Sequence, residues 1–107
     1  MDAKQLLAAM ADLFERDEGL RWTHGALARD AGNSAVDQMA PNAFSFSVNG
    51  FIERATAEGL VSAEENARAY DLFVGACWSQ YHHREIVRLN DHEGRLAVIR
   101  CAREAAK

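Results

Sequence analysis

The chain has 107 residues, a length that fits one domain, and 49% of them are hydrophobic, enough to fill a core without metals or disulfides. The formal charge of −4 is unevenly spread: residues 1–65 carry 11 acids against 5 bases, a net of −6, while residues 66–107 carry 5 acids against 7 bases, a net of +2. No apolar run reaches the length of a membrane span, and a single proline among abundant alanines argues against a strand-rich sandwich or barrel. The expected fold is all-α, a compact single-domain bundle of about four to five helices over residues 1–107.

In chain order, Leu6, Leu7, Met10, Leu13 and Phe14 recur at three- and four-residue spacing, which predicts an amphipathic helix from Ala3 that ends near Gly19. Its acids make it unlike an export signal, so the expected compartment is the cytoplasm. The acidic run "ERDE" at its C-terminal end opposes the helix dipole and needs solvent or another partner. Next, "RWTHGALARDAG" predicts a short helix capped by Thr23, running through Leu27 to Asp30, with Gly32 as the left-handed residue that ends it. A loop, "GNSAVDQMAPN", follows.

Pro41 suits a first helical turn, and Phe44, Val48, Phe51, Ile52 and Ala55 continue on one face until Gly59. The alternation of Phe44, Phe46 and Val48 offers an extended alternative for the first half. Ser62 with Glu65 forms a capping box for a long helix through Tyr70, Phe73, Cys77, Trp78 and Tyr81, reaching toward Leu89 with a kink near "YHHRE". Asn90 with Glu93 reads as a second box, opening a last helix that turns Leu96, Ile99, Cys101 and Ala102 inward.

The chemistry-bearing residues form few recognisable constellations. His82 and Glu85, three residues apart on a helix, share a face, but no HExxH or Cys/His framework accompanies them, so no metal is expected. Cys77 and Cys101 lack a CxxC pairing and read as reduced, packed thiols. No cofactor motif occurs, and none is expected. Catalysis would require His24, Asp30, Asp91 and His92 to meet in one pocket, a geometry that their spacing does not dictate. Arg29–Asp30 reads more simply as a loop anchor, with the guanidinium fork bonding carbonyls.

"WTHGALARD", "AFSFSVNGFIERA" and "VRLNDHEG" together resemble an uncharacterised domain-of-unknown-function family of small bacterial and phage proteins. The pattern falls on Trp22, Thr23, Gly25, Ala26, Ala28, Arg29, Asp30, Gly50, Ala55, Asn90 and Asp91, and departs from it at Phe51 and at Arg95-Leu96. The family has no assigned activity, so the resemblance implies none. Beside it, Trp22, Thr23, Gly25, Arg29, Asp30, Asn90 and Asp91 read as a structural corner that joins distant parts of the chain.

The leading functional expectation is a non-enzymatic protein-binding module that covers a partner's basic surface through Asp12, Glu15, Asp17, Glu18, Glu58, Glu64 and Glu65. Its most concrete form, by analogy with the phage connection of the resembling family, is an inhibitor of a bacterial defence system, anti-CRISPR-like, masking a nucleic-acid channel. A nucleic-acid-associated regulator using Arg84, Arg88, Arg95, Arg100 and Arg103 is the alternative, and a small hydrolase or metal-dependent enzyme the second alternative. The apolar helix around Trp78 leaves room for a homodimer, and no membrane partner is expected.

Overall fold

The computed structural model describes residues 1–107. Three helices carry most of the core: α1 (Ala3–Glu15), α3 (Ala63–Tyr81) and α5 (Arg95–Ala105), with α1 packed chiefly on α5 and each of them also against α3. Leu6, Leu7, Met10 and Phe14 of α1 are fully buried, the stripe that their spacing predicts. Phe73 and Cys77 of α3 and Val98, Cys101 and Ala102 of α5 meet that stripe. A shorter helix, α2 (Val48–Ala57), adds Val48, Ile52 and Ala55 to the same core, and a single turn, α4 (Ile86–Arg88), continues into a π-turn at Leu89–Glu93. No helix is long and apolar enough to cross a membrane.

The fold is not purely all-α. Three two-residue strands, β1 (Ala28–Arg29), β2 (Ala35–Val36) and β3 (Ser45–Phe46), form an antiparallel sheet in the order β2-β1-β3. Ala28 faces Val36 on one side and Phe46 on the other. The short helix expected from Thr23 to Asp30 is therefore absent, for two local reasons. Gly25 takes a left-handed φ of 73°, which breaks any helix started at Thr23. Beyond β1, Asp30 closes a hairpin: its amide donates to the Ser34 carbonyl (2.9 Å), its carbonyl accepts from Asn33, and its carboxylate accepts from the Ser34 amide (2.9 Å). The left-handed residue of that turn is Asn33 (φ 69°), not Gly32.

Other boundaries move for similarly local reasons. Ser47, not Pro41, starts α2, with its hydroxyl accepting from the Gly50 amide; residues 45–46 before it are extended, the alternative that the Phe44–Phe46 alternation offered. At the end of α1, Asp17, Glu18 and Gly19 all have positive φ, so the helix stops at Glu15. Its N-terminus carries a capping box, Asp2 with Gln5, that the sequence reading missed. The Ser62 hydroxyl caps α3, but Glu65 turns away from the reciprocal bond and accepts from the Ala3 amide at 2.6 Å, tying α3 to α1. At its other end α3 stops at Tyr81, where His82 turns left-handed (φ 59°), so the chain does not run helically to Leu89. Asn90 opens no helix: α5 starts at Arg95 after Gly94 (φ 88°), and Leu96, expected inside, is 71% exposed.

Candidate functional site

The π-turn is the structural centre of the site. Widening the helix at Leu89–Glu93 buries Leu89 and presents the next side chain, Asn90, to the sheet side of the molecule. Asn90 is 2% exposed and uses its whole hydrogen-bonding capacity. Its Oδ1 accepts from the Trp22 indole Nε1 (3.0 Å) and the Val48 amide (3.2 Å), and its Nδ2 donates to the Thr23 carbonyl (3.0 Å) and to Asp91 Oδ1 (3.1 Å). Asp91 Oδ1 also accepts from the Gly25 amide at 3.2 Å. One amide thus joins the segment before β1, the N-terminus of α2 and the π-turn.

The other corner residues brace the same segment. Arg29 divides its fork between the carbonyls of Asn33 (3.1 Å) and His24 (3.2 Å), and Asp30 closes the hairpin. The Leu27 carbonyl accepts from both the amide (3.1 Å) and the hydroxyl (3.4 Å) of Ser47. Gly50 belongs there because a Cβ at that position would overlap the Leu27 carbonyl. The sheet and α2 approach more closely than any side chain would allow.

Beside this corner lies an open cleft of about 270 Å³ between Gly25–Leu27 and Ile86–Val87, with Ser47, Asn49, Asn90 and Asp91 completing its lining. Its rims are apolar and wet: Leu27 is 45% exposed and Val87 54%. Asp91 is its only ionisable lining residue. A second depression of similar volume lies over Phe46, Phe51 and Leu60, but the guanidinium groups beside it are already engaged: Arg21 lies on the Phe44 ring and bonds the Phe44 carbonyl, and Arg54 bonds Glu58 (2.6 Å) and the carbonyls of Gln38 and Ala40.

The seven acids of the expected mask do not share one environment. Asp12 and Glu15 both pair with Arg103 of α5 (2.8 and 3.1 Å), Glu58 pairs with Arg54, and Glu65 caps α1. Asp17 and Glu18 follow the C-terminal end of α1, whereas Glu65 lies at its N-terminal end, about 20 Å away at 1.5 Å per residue. The arginines are similarly divided. Arg95 bonds the Phe14 carbonyl (3.3 Å), supplying a partner for the end of α1, and Arg88 pairs with Glu85. Arg84 stacks on Trp78 at 4.7 Å, and the His82 ring meets the same indole edge-on; Trp78 is 45% exposed.

Of the four residues that an enzyme reading would unite, only Asp91 lines the cleft; His24 lies against the Trp22 ring, and Asp30 is spent in the hairpin. His83, not His82, has the carboxylate partner, at 3.2 Å, and that partner is Glu93, not Glu85. No three His, Cys, Asp or Glu side chains converge to hold a metal. Cys77 and Cys101 are both fully buried, and hydrogen bonding between them, then burial, pushes the Cys77 thiol far above its usual range. Leu27 and Val87 are the site residues that sequence reasoning missed. Leu27 was absorbed into the expected helix, and Val87 carries no signal except its place three residues before Asn90.

The chain matches no protein-family profile, no curated protein and no solved structure.

Proposed function

We propose that this chain is a non-enzymatic protein-binding module that seats an extended segment of its partner in the cleft between Gly25–Leu27 and Ile86–Val87. The observation that carries the reading is the pair of exposed apolar rims, Leu27 and Val87, over a floor fixed by Asn90 and Asp91. Water-exposed apolar side chains around a preformed concavity gain free energy when a partner covers them, and a floor already held by hydrogen bonds adds little ordering cost. A lining with one ionisable side chain supports binding over catalysis, which needs several groups converging on a reacting atom.

The acidic-mask reading, including its anti-CRISPR-like form, draws its support from Asp17, Glu18 and Glu64, which are exposed and outside the ion pairs described above. The cleft is favoured because four of the seven acids already serve partners within the chain.

Selection of a random peptide display library on the immobilised protein tests the proposal. Enriched peptides should lose binding to Leu27→Asp and Val87→Asp variants, whose exposed positions leave the core untouched, and should keep binding to a variant with Asp17, Glu18 and Glu64 reversed to lysine. Binding that survives both cleft variants refutes the cleft. Binding lost only on charge reversal moves the function to the acids.

A further inference from the structure

We propose that the group seated in this cleft is a lysine side chain of the partner, its methylene stem on Leu27, Ile86 and Val87 and its ammonium on Oδ2 of Asp91. The inference rests on the docking reading above and adds the chemistry of the occupant.

Size gives the first constraint. A space of about 270 Å³, open on one side, stands at the small end of the roughly 300–1,000 Å³ typical of sites for drug-sized ligands, and has room for one long side chain. The walls give the second. Apolar rims above a single charge match a side chain with an apolar stem and a charged head, the two-part character of lysine and arginine. The charge is a carboxylate, and the chain carries −4 overall, so attraction at long range favours the same sign of ligand as the local contact.

The geometry of Asp91 then separates the two cations. Both hydrogen bonds that it receives from the chain, from the Gly25 amide and from Asn90 Nδ2, fall on Oδ1. An arginine fork binds best with two parallel N–H groups on the two oxygens of one carboxylate, and here one of those oxygens is already committed. A lysine ammonium is a point charge with three donors. It needs only Oδ2, and the amide oxygen of Asn49, which also lines the cleft, offers a second acceptor. Of the first three N–H groups of α2, which would otherwise favour an anion, two are occupied: Val48 donates to Asn90 Oδ1 and Gly50 to the Ser47 hydroxyl, which leaves the Asn49 amide alone.

The test is a titration of the ¹⁵N-labelled protein with Nα-acetyl-lysine N-methylamide and with its arginine, norleucine and glutamate counterparts, read at the Gly25 backbone amide and the Asn90 side-chain amide. The lysine compound should move both signals saturably. The arginine and norleucine compounds should bind about tenfold more weakly, a difference of about 1.4 kcal/mol. Asp91→Asn, whose side-chain oxygen still accepts from Gly25, should abolish the preference while leaving the rest of the spectrum in place. Norleucine binding as tightly as lysine overturns the lysine assignment and leaves the apolar docking reading standing. Arginine binding as tightly as lysine overturns the single-oxygen argument, as does a lysine preference that survives Asp91→Asn. A cleft that responds to none of the four compounds refutes the lysine assignment, and the docking reading is then decided by the peptide selection above. The ligand series decides on the unmodified chain, so the outcome does not depend on how the variant folds.

Discussion

Replacing Asn90 with alanine should be among the most damaging single changes available in this protein. The substitution strands the Val48 amide and the Thr23 carbonyl, both on buried residues, and removes the partner of the half-buried Trp22 indole. A buried polar group left without a partner costs roughly 1–3 kcal/mol. Two such groups therefore cost about 4 kcal/mol, with the indole adding less because it reaches water more easily. That is a large part of the roughly 5–15 kcal/mol that holds a domain of this size together, and it corresponds to a fall of roughly 20 °C in Tm. Urea unfolding, followed by tryptophan fluorescence and far-ultraviolet circular dichroism, measures it; the midpoint should fall with the slope unchanged. Asn90→Asp keeps the shape but points an oxygen at the Thr23 carbonyl and Asp91 Oδ1, so at neutral pH it should lose at least as much. Trp22→Phe should cost less in the Asn90→Ala background than in the wild type, since the bond that it removes is already gone. A loss below about 1 kcal/mol for Asn90→Ala would refute the reasoning, because water entering from the cleft would then satisfy the stranded groups as well as the amide does.

Gly50→Ala must push α2 away from the Leu27 carbonyl and should destabilise by about 3 kcal/mol in thermal melts, whereas Gly75→Ala, mid-way along α3 with open space around it, should stabilise by about 0.5–1 kcal/mol; equal effects at the two glycines would contradict the packing described. Burial, and then the hydrogen bond from its hydroxyl to Glu53 (2.6 Å), raise the pKa of Tyr70 above its ordinary 10.0. The folded state therefore holds that proton more tightly than the unfolded chain, the stabilisation is complete below pH 10, and it is lost as pH rises through the folded value. Alkaline unfolding curves of Tyr70→Phe should lack this fall, and an unchanged alkaline limb would show that Tyr70 does not contribute to it.

The helical frame was legible because α1 and α5 bury one stripe each, so the period of 3.6 survives in the order of their residues. The sheet was not, and the reason lies in three residues. Ala26, Leu27 and Ala28 have high helix propensity, and nothing in their order shows that the Leu27 carbonyl will be held by Ser47 or that Ala28 will pair with Phe46, twenty residues away or nearly so. Gly25 and Asn33, whose left-handed backbones frame the strand, were visible as turn residues, but a helix reading could absorb the first and shift the second to Gly32. Asn90 shows a different limit. Its place in a corner with Trp22 and Thr23 was legible and its burial was not, because the pattern Asn-x-x-Glu reads equally as a cap, and only the widened turn places the side chain inside the molecule. Leu96 fails for a related reason: moving the helix start from Asn90 to Arg95 alters which residues of that stretch are turned outward.

The placement of the cleft follows from these same long-range bonds. Its two apolar walls come from segments about sixty residues apart in the chain, Gly25–Leu27 and Ile86–Val87, and neither belongs to a long helix that would hold it in place. The first wall is fixed by the Gly25 amide on Asp91 and the Leu27 carbonyl on Ser47, and the second by the buried anchor of Leu89 and the four bonds of Asn90 directly after it. Asp91 therefore has two tasks that its two oxygens separate: Oδ1 joins the walls, and Oδ2 remains for what enters between them. A carboxylate that served only to brace the corner could be replaced by any acceptor of the same shape. One that also meets a cation cannot, which is why Asp91→Asn divides the structural task from the binding task at a single atom.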